Sequence, residues 1–399
     1  MINLESCVAF VFWFLQFRNE NKTFRNKQNQ QTSCHPSNTR NPSRNVLWKI
    51  CWFLHQSIFI NFTKQHFIHH TLCIYSVAFH KTLPLLATGS VDNMTILYNL
   101  TTHPPTIQHR LQNHTDIIFF VAFHPKKPLL ATCSRDKTAI IYNLLISPPT
   151  IQQHLQHHTS CVLSVAFHPN PTVSLFATSS TDHSVILYDL IHVPAIQKDH
   201  LQHHTGFVSI IDFHPRLLIL ASGSYDSSVI LYDVSISPAI IKYNLKQHTN
   251  MIYCALFHPQ LALFVTGSAD NSAILYDMST MVSLLSPVPC LSQSTKSTVR
   301  APVIKCRLKN RNNSVCSIVF HEKLSLLGTS SYQDITLYDL TTFPPCRKYY
   351  LKHCDGGIAS CAFHPTSPLL VIGSSDSRVI LYNIHHMKSV MRGGYEEIL

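Results

Sequence analysis

The stretch HTDIIFFVAFHPKKPLLATCSRDKTAIIYNLLISPPTIQQHL, residues 114–155, decides how the rest of the chain is read. His114 and Thr115 open it, and the run from Ile117 to Phe123 is dense in the β-branched and aromatic residues that favour a strand. His124-Pro125-Lys126-Lys127-Pro128 then predicts a turn, Leu129 to Ser134 a second strand, Arg135-Asp136-Lys137 a tight turn, and Thr138 to Leu144 a third strand. Pro148 and Pro149 mark a loop, after which Thr150 to Leu155 reads as a fourth strand, polar enough for an outer edge.

The same phrase recurs along the chain. Phe-His pairs end at His80, His124, His168, His214, His258, His321 and His364, in steps of 44, 44, 46, 44, 63 and 43 residues. A period in the forties predicts stacked β modules. Each module closes its third strand on tyrosine: Tyr98, Tyr142, Tyr188, Tyr232, Tyr276, Tyr338 and Tyr382. Six modules carry a histidine ahead of the first strand (His70, His114, His158, His204, His248 and His353). The same six carry an aspartate in the second turn (Asp92, Asp136, Asp182, Asp226, Asp270 and Asp376).

Over residues 57–384 this pattern resembles the WD-repeat family of β-propellers. The resemblance implies an all-β fold, a seven-bladed propeller of four-stranded antiparallel blades. Two departures stand out: tyrosine holds the place where the family usually has tryptophan, and the glycine that commonly precedes the family's histidine is replaced by His, Asn, Gln or Lys. The segment Ile58 to Phe67 precedes His70 as Thr150 to Leu155 precedes His158. It therefore reads as the outer strand of the last blade, closing the ring.

A histidine entering a blade can donate to the turn carboxylate of that blade, tying two distant loops by a charge-assisted hydrogen bond. Ser or Thr side chains such as Thr132 and Ser134 can extend the network toward the tyrosine hydroxyl. Catalysis needs one asymmetric site with an oxyanion hole, whereas this set occurs six times, so the couples read as structural staples and the chain as no enzyme. The Phe-His series puts seven imidazoles at equivalent turns, too far apart for shared ligation at about 2 Å. They read as turn caps. The pairs His66/His70, His154/His158 and His200/His204 have a metal-site spacing only on a helix, and here the register is a strand running into a loop. No metal and no cofactor is implied, and with ten glycines in the whole chain no phosphate-cradling loop is apparent.

The sixth module breaks the pattern. Arg311 stands where histidine belongs, Gln333 where aspartate belongs, and Asp334 lies one step late. Upstream is an insertion between Met278 and Arg300, rich in Ser, Thr and Pro, leading into Lys305, Arg307, Lys309 and Arg311. The formal net charge is +11, yet residues 1–68 hold +6 and the run from Lys296 to Arg311 another +6, so the other modules are close to neutral. The basicity thus belongs to two appendages.

Residues 1–56 form a non-repeating N-terminal extension and residues 385–399 a tail. Val8 to Phe17 is apolar but too short to span a bilayer, and it lacks a basic leading region and a cleavage site. Arg18 to Asn45 reads as a disordered tether, and Val46 to Leu54 as a short helix or an early strand. The thirteen cysteines include no Cys-x-x-Cys pair. Cys133, Cys161, Cys254, Cys316 and Cys361 lie in strand-like runs, which points to free thiols in a reducing compartment, the cytoplasm, with the nucleus as the alternative.

The function the resemblance implies is a non-catalytic scaffold or adaptor, a monomeric propeller working within a complex, that binds protein or peptide partners through its loops. Arg135 and Tyr225, just before two turn aspartates, have the chemistry of interface anchors, and the run Lys305, Arg307, Lys309 and Arg311 that of a dock for an acidic partner. The alternative is a nucleic-acid-associated protein using the basic arm and the segment 296–311.

Overall fold

The computed structural model describes residues 64–282, 301–310, 313–352 and 356–386. The N-terminal extension, the first part of the closing strand, the insertion, Arg311, His353 and the tail beyond His386 lie outside these residues.

Seven four-stranded antiparallel sheets follow one another as the blades of a propeller. In the second blade the strands are Ile118–Phe123, Leu129–Ser134, Ala139–Asn143 and Thr150–Leu155, in that spatial order. Ile117 and Thr138 fall just outside, because Thr138 gives its hydroxyl to Asp136 Oδ1 at 2.7 Å and belongs to the turn. Second strands such as Leu129–Ser134 are buried throughout, whereas fourth strands alternate between exposed and covered residues. The middle of each sheet is covered on both faces by neighbouring blades, and the outermost strand meets solvent.

The last sheet shows how the ring closes. Its strands Ile358–Phe363, Leu369–Ser374 and Val379–Asn383 take their fourth partner from the other end of the chain: Lys64–Phe67 pairs with Val379–Asn383, with Lys64 opposite Tyr382. Ile74, Leu86, Ile96 and Tyr98 of the first blade pack with Leu369, Val371, Val379 and Leu381 of the last in one buried cluster. A blade exposes two apolar faces when alone and none once its neighbours are seated, which is why closure stabilises every module.

The Phe-His pairs form a belt around this ring. Each histidine Nδ1 accepts backbone amides two and three residues on, as at His124, from Lys126 at 3.1 Å and Lys127 at 2.9 Å. At His168 only Asn170 donates, since Pro171 has no amide hydrogen. Each imidazole then meets the phenylalanine of the following blade, from His80 on Phe123 round to His364 on Phe79, with centroids 4.7 to 5.3 Å apart. An Nδ1 that accepts amides leaves the proton on Nε2, which His321 donates to the Ser367 carbonyl of the next blade at 3.1 Å.

The inner strands have unpaired edges facing the ring axis, and side chains of adjacent blades satisfy part of them. Ser76 Oγ accepts from Val121 N at 3.1 Å, and Asp212 Oδ2 from Phe257 N at 2.8 Å. Cys133, Cys161, Cys254, Cys316 and Cys361 are free thiols.

The belt has a consequence for acid stability. Burial pushes His124, His214 and His258 down to about 4 from an ordinary 6.5, and lowers His80, His168 and His321 as well. The unfolded chain therefore binds more protons than the folded one below pH 6.5, so this contribution is complete above 6.5 and is lost as pH falls toward 4. Each histidine adds up to about 1.4 kcal/mol per pH unit. The urea midpoint should fall steeply between pH 6.5 and 4, and His214→Phe should flatten that slope. A flat profile would contradict the neutral belt.

Candidate functional site

Turns between second and third strands, and the loops that enter each blade, emerge at one end of the ring. There His70 Nδ1 meets Asp92 Oδ2 at 2.9 Å, and its Nε2 meets Thr88 Oγ1 at 2.7 Å. The same carboxylate accepts Thr71 N at 3.0 Å and Met94 N at 3.1 Å. The arrangement repeats at His114/Asp136, His158/Asp182, His204/Asp226 and His248/Asp270, with Nδ1 to carboxylate distances of 2.8 to 2.9 Å. Burial alone would push these carboxyls up, but the histidine and amide donors outweigh it and hold them below the usual carboxylate range. The residue after each of these aspartates adopts a left-handed backbone with φ between 65° and 73°. That conformation turns the chain so that both Asp92 oxygens can accept. Of the sixth such pair, Asp376 lies beside Arg378, Oδ2 to Nε 3.1 Å, and His353 is outside the described residues.

Histidine Nε2 meets the buried threonine or serine oxygen, and the strand-closing tyrosine reaches the same oxygen: burial raises the Tyr142 hydroxyl, and its hydrogen bond with Thr132 partly offsets that. The tyrosine also faces the residue that precedes the histidine. Tyr142 donates to Asn113 Oδ1 at 3.2 Å, and the Tyr188 hydroxyl lies 3.3 Å from His157 Nδ1. The rings of His69, His157 and His203 lie 5.5 to 5.6 Å from those of Tyr98, Tyr188 and Tyr232. Burial pushes the Tyr188 hydroxyl up to about 12. The two departures from the family pattern thus compensate: a smaller ring closes the strand, and a side chain in place of glycine covers it.

The sixth blade is built differently. Its second turn runs from Ser331 to Gln333, one residue shorter than its sisters, so Asp334 opens the third strand, Asp334–Asp339. Asp334 accepts from Ser331 Oγ and, at 3.1 Å, from the Tyr350 hydroxyl of the fourth strand. The basic run read from sequence as an appendage places Lys305, Arg307 and Lys309 in the outer strand of the fifth blade, Val303–Lys309, paired with Ser272–Asp277. Cys306 and Leu308 turn inward while Lys305, Arg307 and Lys309 face solvent, the period-two alternation of an edge strand. Arg307 donates to the Gln247 carbonyl at 2.9 Å and lies 3.9 Å from Asp270, and Lys305 lies over the Phe343 ring at 5.0 Å.

At the same end as the couples the ring axis opens into a cavity of about 710 Å³. Tyr75, Phe119, Tyr225, Tyr253 and Tyr332 rim it, and Val77, Phe120, Ile210 and Leu256 line it with Ser, Asn and Cys side chains. Among the described residues none of the lining side chains carries a formal charge. Tyr75 lies 5.7 Å from Phe119 and Tyr225 5.8 Å from Tyr253, with Phe207 against Tyr225 at 5.6 Å. Gly357 permits the close seating of Tyr332, where a Cβ would overlap the ring. Tyr225 therefore sits in the mouth, whereas Arg135 lies outside the cavity lining, paired with Asp116 at 3.5 Å. Tyr75, Phe119, Tyr253 and Tyr332 escaped the sequence reading. Aligning the second residue of each first strand reveals three of them.

Among the described residues no group of three or more His, Cys, Asp or Glu is placed to hold a metal, and no helix is long and apolar enough to cross a membrane.

The family model for the WD domain, G-beta repeat, matches residues 62–99, 105–143, 149–189, 196–233, 240–277 and 345–383, more than half of the chain. Each match begins with the outer strand of one blade and ends with the third strand of the next, and the aberrant sixth module is unmatched. No curated protein matches the chain.

Asp182→Ala should lower stability by about 2–3 kcal/mol, since it strands His158 and the Thr159 amide. Chemical denaturation measures this, and a change under about 0.5 kcal/mol would count against a stabilising role. Tyr188→Trp should cost about 1–3 kcal/mol by overpacking against His157. Adding His157→Gly should recover at least about 1 kcal/mol, and strictly additive effects would show that the two positions are not coupled.

Proposed function

The chain belongs to the WD domain, G-beta repeat family, whose propellers commonly mediate protein interactions and are generally non-catalytic, and we propose that it is a scaffold or adaptor that takes protein segments into the aromatic mouth. The observation that carries this reading is an uncharged cavity of about 710 Å³ rimmed by five aromatic side chains. The described lining holds no carboxylate, imidazole or cation, and burial raises the Cys254, Cys316 and Cys361 thiols, so the mouth has little to offer a reaction, but it can desolvate an apolar or aromatic side chain. Amphipathic tyrosines offer large contact area at low entropic cost together with hydroxyls that can meet a peptide backbone. The His-Asp couples then serve as struts for the loops that carry Tyr225 and its neighbours, holding them in place before a partner arrives.

The nucleic-acid reading rests, within the described residues, on Lys305, Arg307 and Lys309. The first two already have Asp277 at 4.0 Å and Asp270 at 3.9 Å within reach. This partial compensation favours the protein-binding reading, in which the exposed basic edge serves as a secondary dock for an acidic segment. Binding that falls steeply with salt and is abolished by neutralising these lysines and arginines would favour nucleic acid instead.

Selection of displayed peptides on the purified chain should enrich sequences with apolar or aromatic residues. Tyr225→Ala with Tyr253→Ala should weaken the selected peptides at least about tenfold, since each replaces a buried aromatic anchor. Binding that survives both substitutions would place the partner elsewhere.

A further inference from the structure

The opposite end of the ring carries a surface that partner binding at the mouth leaves unused. Successive strands are antiparallel, so the turns between first and second strands and the loops between third and fourth strands emerge together at this end. On blades two, three and four those loops are tipped with aliphatic side chains in solvent: Leu145 is 77% exposed, Ile146 54%, Ile191 69%, Val193 70% and Ile236 49%. The repeat does not require them. Asn143 and Asp189 cap the loops by accepting the amides of Leu145 and Ile191, both at 2.9 Å, and in blade one Asn99 caps Thr101 in the same way at 2.8 Å with threonines at the tip. An apolar band across three adjacent blades is more than the scatter of single hydrophobics on an ordinary surface.

Cations accompany the band. Lys126, Lys127 and Arg216, in the first turns of blades two and four, are exposed and in no ion pair among the described residues. Of the two carboxylates in these loops, Asp189 caps its own loop and Asp233 lies 3.3 Å from Lys242. Lys127 and Leu145 line one cleft between blades two and three, so cation and aliphatic tip share a surface.

We infer that this end docks on an anionic lipid membrane. Aliphatic tips enter the boundary between headgroups and acyl chains, while Lys126, Lys127 and Arg216 meet lipid phosphates. The tips stand on separate loops at one end of the ring. A fluid bilayer accepts separate projections, whereas a folded partner would have to supply a matching hollow for each one.

The test is co-sedimentation of the full chain with vesicles of phosphatidylcholine, with and without phosphatidylserine. The chain should pellet with the anionic vesicles only. Leu145→Ser/Ile191→Ser/Val193→Ser and, separately, Lys126→Glu/Lys127→Glu/Arg216→Glu should each weaken that binding at least about tenfold with unchanged circular dichroism. The charge-reversal variant touches only exposed positions, so it reports even if the serine variant folds poorly. Failure of the wild-type chain to bind, or equal binding by both variants, would overturn the inference, the latter assigning binding to basic residues elsewhere. A wild-type dimer that the serine variant dissolves would also overturn it, by making a second copy the occupant. Peptide binding at the opposite mouth should be unchanged in both variants.

Discussion

One imidazole per blade links local turn to global ring. At the end of each first strand a histidine points Nδ1 at the amides of its own turn and sets its ring against the phenylalanine of the next blade, edge-on in six of seven, with centroids 4.7 to 5.3 Å apart. The first contact is local and the second spans a whole module. Because the acceptor role requires a neutral ring, the same contact that orders the turn also excludes a proton from the blade interface. Ring closure by Lys64–Phe67 against Val379–Asn383 then lets no blade keep an open face.

The couples at the other end of the strands work on the same scale with opposite electrostatics. Aspartate there stays ionised despite burial because a histidine and two backbone amides point at it. The loops so tied carry the aromatic rim. Couples and tyrosines thus sit at the same end of the ring, the former tying the loops that carry the latter.

The sixth blade shows what the ring tolerates. Its shortened turn removes the aspartate from its usual place, and Asp334 bonds to Ser331 and Tyr350 instead. Four strands and the Phe-His contact persist, so blade packing and not the couple defines a module. The two ends of the propeller also divide in chemistry: aromatic and uncharged at the mouth, aliphatic and cationic at the far end of blades two to four.

Much of this was legible in the sequence. The period, the strands of residues 114–155 and the aspartate-bearing turns follow from local rules, since strand alternation and turn chemistry act within a few residues, and the resemblance to the WD-repeat family supplied the seven-bladed ring. Local rules could not tell Tyr75 and Phe119, which face the axis, from Ile74 and Ile118, which face a neighbouring blade. Ile74 and Ile118 are buried whereas Tyr75 and Phe119 border the axial cavity, a difference that the packing of the blades decides. Nor could they show that His157 covers Tyr188, that Lys305, Arg307 and Lys309 share an outer strand, or that Lys127 and Leu145 border one cleft. Those relations depend on contacts between segments tens of residues apart, and only the packing of one blade against the next brings them together.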